Sequence, residues 1–298
     1  MFGERTCISL LSSIKLLVTS VFITATWVTL YHVMWMQRPA VINCPPGLEY
    51  LTQIDQLLIK QVIDAIETFV PYEVQNRYTC YNTLGQSVYR CYEESDFCSR
   101  AFCGASRPFV LHILNNNNSE VIRAIRPFRC DCYPCCSCLE CCQEELEVQS
   151  PAGNCIGYVK RVFSGCNLDY HILDNNQSTV LQIHGPSCCF CECLGSDIIF
   201  KVTSADGTVE IGRITRKWSN IVQEFFTDAD NFGVSFPMDL DVKVKAILLA
   251  AVFLIISIIC LFVGSNRTLK EITLELHLTV SYLSHFNPLT LFCCFTYI

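Results

Sequence analysis

Asp228, Asp230 and Asp239 occupy the first, third and twelfth places of a twelve-residue segment whose sixth place is Gly233. That spacing is the spacing of a calcium loop, where carboxylate oxygens converge on the ion and a glycine allows the sharp turn between them. The match is partial. Phe232 and Phe236 fill the fifth and ninth places, and the twelfth residue is Asp where a bidentate Glu is usual, so fewer oxygens converge. A site of this kind binds weakly, with Kd on the order of 10⁻⁴ to 10⁻³ M. Asn231 and Asp241 are further oxygen donors in the same stretch. A solvated acidic turn between a last strand and a C-terminal helix fits these residues as well.

Thiols offer a second chemistry. Of 22 cysteines, seven fall between Cys130 and Cys142 and four between Cys188 and Cys193. Adjacent pairs such as Cys135-Cys136 and Cys188-Cys189 suit a framework of separate long disulfides poorly, so a reduced chain is expected. Cys-x-x-Cys spacing within the first cluster, completed from the second, would suit structural zinc or an iron–sulfur cluster. A dense run of thiols beside apolar residues also suits S-acylation, here at Cys132, Cys135, Cys136, Cys138, Cys141 and Cys142. One acyl chain holds a protein to a bilayer marginally, whereas two or more hold it firmly.

Arg213, Arg216 and Lys217 form a short basic patch beside Trp218. Such a patch is ordinarily a solvated strand edge that resists pairing, and it also attracts anionic lipid headgroups. With a net charge of −7 the chain is unlike one that coats nucleic acid, which leaves nucleic acid as a local partner at most. No G-x-S-x-G, P-loop or H-E-x-x-H motif occurs in the sequence, and nothing in it supports an enzyme.

The elements that would position these groups are legible in outline. Leu51, Ile54, Leu58, Val62 and Ile66 recur at helical spacing, and Thr52 with Asp55 resembles a capping pair, which predicts an amphipathic helix over Pro45 to Glu67. Beyond it, β-branched and aromatic runs pair across turn formers. These are Tyr78–Asn82 with Ser87–Cys91, Phe109–Leu114 with Val121–Ile125, Leu146–Gln149 with Ile156–Val162, Tyr170–Leu173 with Val180–His184, and Ile198–Thr203 with Val209–Ile214. At least ten antiparallel strands suit a closed barrel or a sandwich.

Two segments could meet a bilayer, as a chain with 51% hydrophobic and 16% charged residues suggests. Ala246 to Val263 carries no charge and as a helix would measure about 27 Å, long enough to cross, although a helix apolar all round is equally a buried core element. Lys243 and Lys245 ahead of it favour a cytosolic main domain, a bias that Arg267 and Lys270 weaken. Leu16 to Met36 lacks charged residues and resembles a signal or anchor.

The runs Asn43-Cys44-Pro45-Pro46-Gly47-Leu48-Glu49-Tyr50-Leu51, Ser106-Arg107-Pro108-Phe109, Arg126-Pro127-Phe128-Arg129-Cys130 and Thr227-Asp228-Ala229-Asp230-Asn231-Phe232-Gly233, continuing from Phe236 to Lys243, resemble the phospholipid scramblase family from Val41 to Val263. The resemblance implies calcium-activated, ATP-independent, bidirectional movement of phospholipids between leaflets. It also implies a tubby-like closed antiparallel β-barrel around a hydrophobic C-terminal helix. It makes the Asp228 to Asp241 segment the calcium site, and Cys132-Tyr133-Pro134-Cys135-Cys136 the palmitoylated run of a plasma-membrane protein whose main domain is cytosolic. The alternative it leaves open is an anchored module that binds lipid headgroups or nucleic acid in signalling or transcription. Clustering into a homo-oligomer is one way a spanning helix could open a headgroup path. The family's Pro-rich tail is replaced here by residues 1–40, so SH3 and WW partners are not expected. The domain is expected over residues 41–264, and residues 265–298 form an extension of unassigned role.

Overall fold

The computed structural model describes residues 34–41, 44–62, 75–103, 107–129, 143–164, 167–187, 198–217, 231–257 and 259. The predicted helix over Pro45 to Glu67 does not form over its described residues, 45–62. A single 3₁₀ turn, Glu49–Gln53, buries Leu51 and passes directly into strand β1, Gln56–Gln61. Leu57 and Ile59 point inward there while Leu58, which a helix would have buried, faces out. The apolar residues of this stretch satisfy a period of two as well as a helical one, and the tertiary structure chooses the strand because β1 closes the sheet.

Eleven further strands follow: β2 (Arg77–Tyr81), β3 (Ser87–Glu94), β4 (Phe109–Leu114), β5 (Glu120–Arg126), β6 (Glu145–Gln149), β7 (Cys155–Val162), β8 (Asn167–Asp174), β9 (Thr179–Ser187), β10 (Ile198–Ser204), β11 (Glu210–Lys217) and β12 (Asn231–Ser235). Each pairs antiparallel with its sequence neighbours, and β1 pairs with β12 to close a twelve-stranded barrel. The five expected hairpins all form. A short helix α1, Phe97–Cys103, lies between β3 and β4.

Such a barrel encloses more space than its own inward side chains fill. Helix α2, residues 242–257, occupies it. Asp241 starts the helix by accepting the backbone N–H groups of Lys243 and Val244 at 2.8 and 3.3 Å. From Ala246 to Ile256 every residue is buried against the strands, and Phe253 meets the Tyr78 ring at 5.1 Å. The candidate span is therefore the core of the barrel over its described part. Among the described residues no helix is long and apolar enough to cross a membrane.

Lys245 is wholly buried at the mouth of the barrel. Its ammonium donates to the carbonyls of Leu51, Ile54 and Met238 at 2.9, 3.0 and 2.7 Å, which ties the 3₁₀ turn and the turn after β12 to α2. Burial holds its pKa below the ordinary lysine value, with Asp55 and Asp239 opposing that shift.

The sequence around Gly47 is explained by the same region. Glu49 accepts the Gly47 N–H at 2.8 Å and pairs with Arg38, while the buried Tyr89 hydroxyl donates to the Gly47 carbonyl at 2.9 Å. Gly47 has φ +93°, and a Cβ there would lie 2.2 Å from Val121 Cγ1. Gly47→Ala is expected to cost about 3 kcal/mol from the left-handed backbone and the forced repacking, read as a lower urea midpoint at unchanged slope.

Residues 34–36, the end of the charge-free N-terminal stretch, pack on the barrel. Met36 N–H donates to the Ser87 carbonyl at 2.9 Å, and the Arg90 guanidinium lies 4.8 Å from the Trp35 ring centre. Residues 1–33 and 260–298 lie outside the described residues.

Candidate functional site

The acidic segment is divided by a strand. Asn231 stands opposite Lys60 and Lys217, and Ser235 opposite Gln56, so β12 is extended along its whole length. Five residues of strand put about 13 Å between its first and last Cα atoms. Gly233 makes no turn; it lies in the ladder between Leu58 and Thr215. Over residues 231–235 the backbone is therefore extended strand in place of the turn that the spacing predicts.

Asp239 belongs to the turn that follows β12, where Leu240 N–H donates to the Pro237 carbonyl at 3.2 Å, and Asp241 caps α2. Asn231 joins β12 at the opposite end of the barrel. Asp228 and Asp230 precede it and lie outside the described residues. Among the described residues no three His, Cys, Asp or Glu side chains gather to hold a metal ion. β12 thus leaves Asn231 at one end of the barrel and Asp239 and Asp241 beyond its other end.

Cys132, Cys135, Cys136, Cys138, Cys141 and Cys142 all lie outside the described residues. The six described cysteines are free thiols. Cys80 and Cys91 are buried on β2 and β3 with their sulfurs 3.8 Å apart, and burial pushes the Cys91 thiol well up, which makes it a poor nucleophile. Cys98, on α1, is exposed.

The basic patch is also divided. Arg213 points outward, donates to Glu210 and borders a groove, whereas Arg216 is on the inward face with Ile214, its guanidinium 5.9 Å from the Phe232 ring centre. The side chain of Lys217 lies outside the described set. Strand periodicity separates residues three apart onto opposite faces, which a linear count of basic residues does not show. The groove has a volume of about 750 Å³ and runs over the outer wall of β1, β12 and β11, with Leu58 in its floor and Lys60 and Arg213 among its lining cations. That combination of apolar floor and cationic groups can receive a phosphate-bearing amphiphile.

Two buried ion pairs carry weight that the sequence reading did not assign. Arg107 forms a forked pair with Glu93, Nε to Oε1 at 2.6 Å and Nη2 to Oε2 at 2.9 Å, and Asn76 adds a hydrogen bond at 2.8 Å. Arg126 pairs with Glu144 in the same buried manner. Both arginines precede a proline at a strand end, so the Arg-Pro repeats mark where β4 begins and β5 finishes. The signal available in the sequence was a buried-phase arginine near an acid on the neighbouring strand.

A family model described as Scramblase matches residues 34–258, the span of the barrel and its helix. Phospholipid scramblase 2 of Bos taurus is 46% identical over 227 residues, covering 75% of each chain. Phospholipid scramblase 1 of Homo sapiens is 46% identical over 224 residues, 75% of this chain and 69% of its own length. Phospholipid scramblase 4 of Homo sapiens is 41% identical over 224 residues, 75% of this chain and 67% of the relative. No solved structure matches the chain significantly. The resemblance seen in the short motifs extends through every strand of the barrel, and the chain belongs to the phospholipid scramblase family.

Proposed function

We propose that this protein moves phospholipids between bilayer leaflets in both directions, without ATP and in response to calcium, from a membrane-associated position at the plasma membrane with its barrel in the cytosol. The observation that carries the reading is the family match over residues 34–258. The barrel constrains how such movement occurs. Its interior is filled by α2 from Ala246 to Ile256, so the lumen offers no headgroup path. Lipid headgroups would pass along the outside of the domain, where the groove over β1, β12 and β11 supplies Lys60 and Arg213 for phosphate. Acyl chains on the Cys132 to Cys142 run would hold the domain at the surface. The protein makes no covalent change to its lipid.

The same groove favours a second reading, an anchored module that binds anionic headgroups and moves nothing. Vesicles with fluorescent lipid in both leaflets, loaded with the full chain, separate the two: leaflet exchange measured by dithionite supports the first reading, and binding without exchange supports the second. Weak calcium modules set the calcium range at up to about 1 mM. Asp228→Ala and Asp230→Ala are expected to remove the calcium response. Asp239→Asn is expected to leave it, because the extended strand β12 puts Asp239 and Asn231 at opposite ends of the barrel. Loss of the response in Asp239→Asn alone would overturn that assignment.

A further inference from the structure

Strand direction alternates around the barrel, so every second connection lies at the same end. One end holds the close turns over residues 82–86, 115–119, 151–154, 175–178 and 205–208, rich in Asn, Asp, Gln, Gly and Ser. At the other end the odd-numbered strands finish, and an exposed apolar side chain follows each of the first four. Val62 follows β1, Phe97 follows β3, Phe128 follows β5 and Phe163 follows β7. The three phenylalanines are 53%, 60% and 52% exposed, and they are all the exposed phenylalanines among the described residues.

Helix α2 points to the same end. Ile247, near its start, comes within 2.5 Å of where a Gly157 Cβ would stand, at the turn end of β7. Phe253 packs on Tyr78, at the opposite end, where β2 begins. The last described residues of α2 therefore lie toward the end that carries the phenylalanines, and the sequence from Ile258 to Val263 is apolar. The strand ends that bracket both cysteine clusters, Arg126 with Glu145 and Ser187 with Ile198, are at this end too.

We propose that this is the end of the barrel that faces the bilayer, with Phe97, Phe128 and Phe163 inserted at the boundary between headgroups and acyl chains and the polar turns held away from the membrane. Three aromatic side chains on three separate connections form a rim rather than a pocket, which suits a planar lipid surface better than a folded partner. Acylation in either cysteine cluster would draw the same end to the same surface. The proposal rests on the phospholipid reading above and names the surface that meets the lipid. Its rival lies at the opposite end, where Met34, Leu84, Val209 and Met238 are exposed, aliphatic side chains without an aromatic among them.

The test uses the full chain on phosphatidylcholine vesicles containing phosphatidylserine, with and without lipids brominated near the acyl carbonyl. Phe128→Trp, Phe163→Trp and Leu84→Trp are each compared with the parent chain, whose own three tryptophans supply the background. Unchanged thermal midpoints confirm that each variant is folded. The added emission is expected to be quenched by brominated lipid in Phe128→Trp and Phe163→Trp and unquenched in Leu84→Trp. Quenching of Leu84→Trp alone would place the opposite end on the membrane. No quenching at Phe128 or Phe163 while the protein sediments with vesicles would show that these side chains are covered by something other than lipid, the chain's own C-terminal segment included, and would also overturn the proposal. Leaflet exchange in the same samples keeps the two readings apart: quenching without exchange sustains the orientation and removes the activity, and exchange without quenching does the reverse.

Discussion

Phe253→Ala is expected to destabilise the barrel by about 4 kcal/mol, the cost of emptying an aromatic site that the surrounding strands cannot collapse to fill. Phe253 is 2% exposed and packs on Tyr78 inside a closed sheet, whose ladder resists inward movement of any one strand. The companion change is Ala251→Leu. In a lipid-exposed span, replacing Ala by Leu improves burial in hydrocarbon. Inside this barrel Ala251 is fully buried among strands, and the added atoms are expected to cost about 1–3 kcal/mol by overpacking. Urea unfolding read by far-ultraviolet circular dichroism checks both values. An Ala251→Leu chain as stable as the parent, with Phe253→Ala also neutral, would mean that α2 is not the core.

Glu93→Gln is expected to cost about 3–5 kcal/mol, because it removes the carboxylate charge that forks onto the buried Arg107 guanidinium. Glu93 and Arg107 are each 4% exposed. Burial by itself would push the Glu93 carboxyl up, and the Arg107 hydrogen bonds and charge, with help from Ser95 and Asn76, hold it below the usual carboxylate value. Glu49 is held down in the same way against burial, by Arg38 and the Gly47 N–H, and Glu120 chiefly by Arg123. A carboxyl whose folded pKa is depressed releases its proton more readily when folded, so the unfolded chain binds more protons through the window. The stability from these three groups is fully present above the ordinary Glu pKa of about 4.3 and is lost as pH falls through their folded values. The thermal midpoint is expected to be level from neutral pH to about 5 as far as these groups govern it, then to fall, with a shallower fall in Glu93→Gln. An acid limb of unchanged steepness in that variant would show that the pair does not govern it.

Much of the architecture was legible in one dimension. Runs such as Phe109–Leu114 and Val121–Ile125 put Phe109, Leu111 and Ile113 and then Ile122 and Ala124 on the buried face, and turn formers such as Asn115 to Asn118 force them to pair, so local chemistry alone dictates a hairpin. The resemblance in the Arg-Pro and Gly47 motifs correctly pointed to the family and to a barrel around an apolar helix. Three matters were decided only by tertiary structure. Residues 56–61 satisfy both helical and strand periods, and the need to close the sheet between β2 and β12 selects the strand. Gly233 has a calcium-loop spacing, yet the same closure extends Asn231–Ser235 and parts Asp239 from Asn231. Ala246 to Val263 is apolar on all sides, a property shared by a bilayer span and a barrel core. Twelve strands enclosing a space that their own side chains leave open decide in favour of the core over the described residues, because an empty apolar interior forfeits both hydrophobic burial and packing contacts.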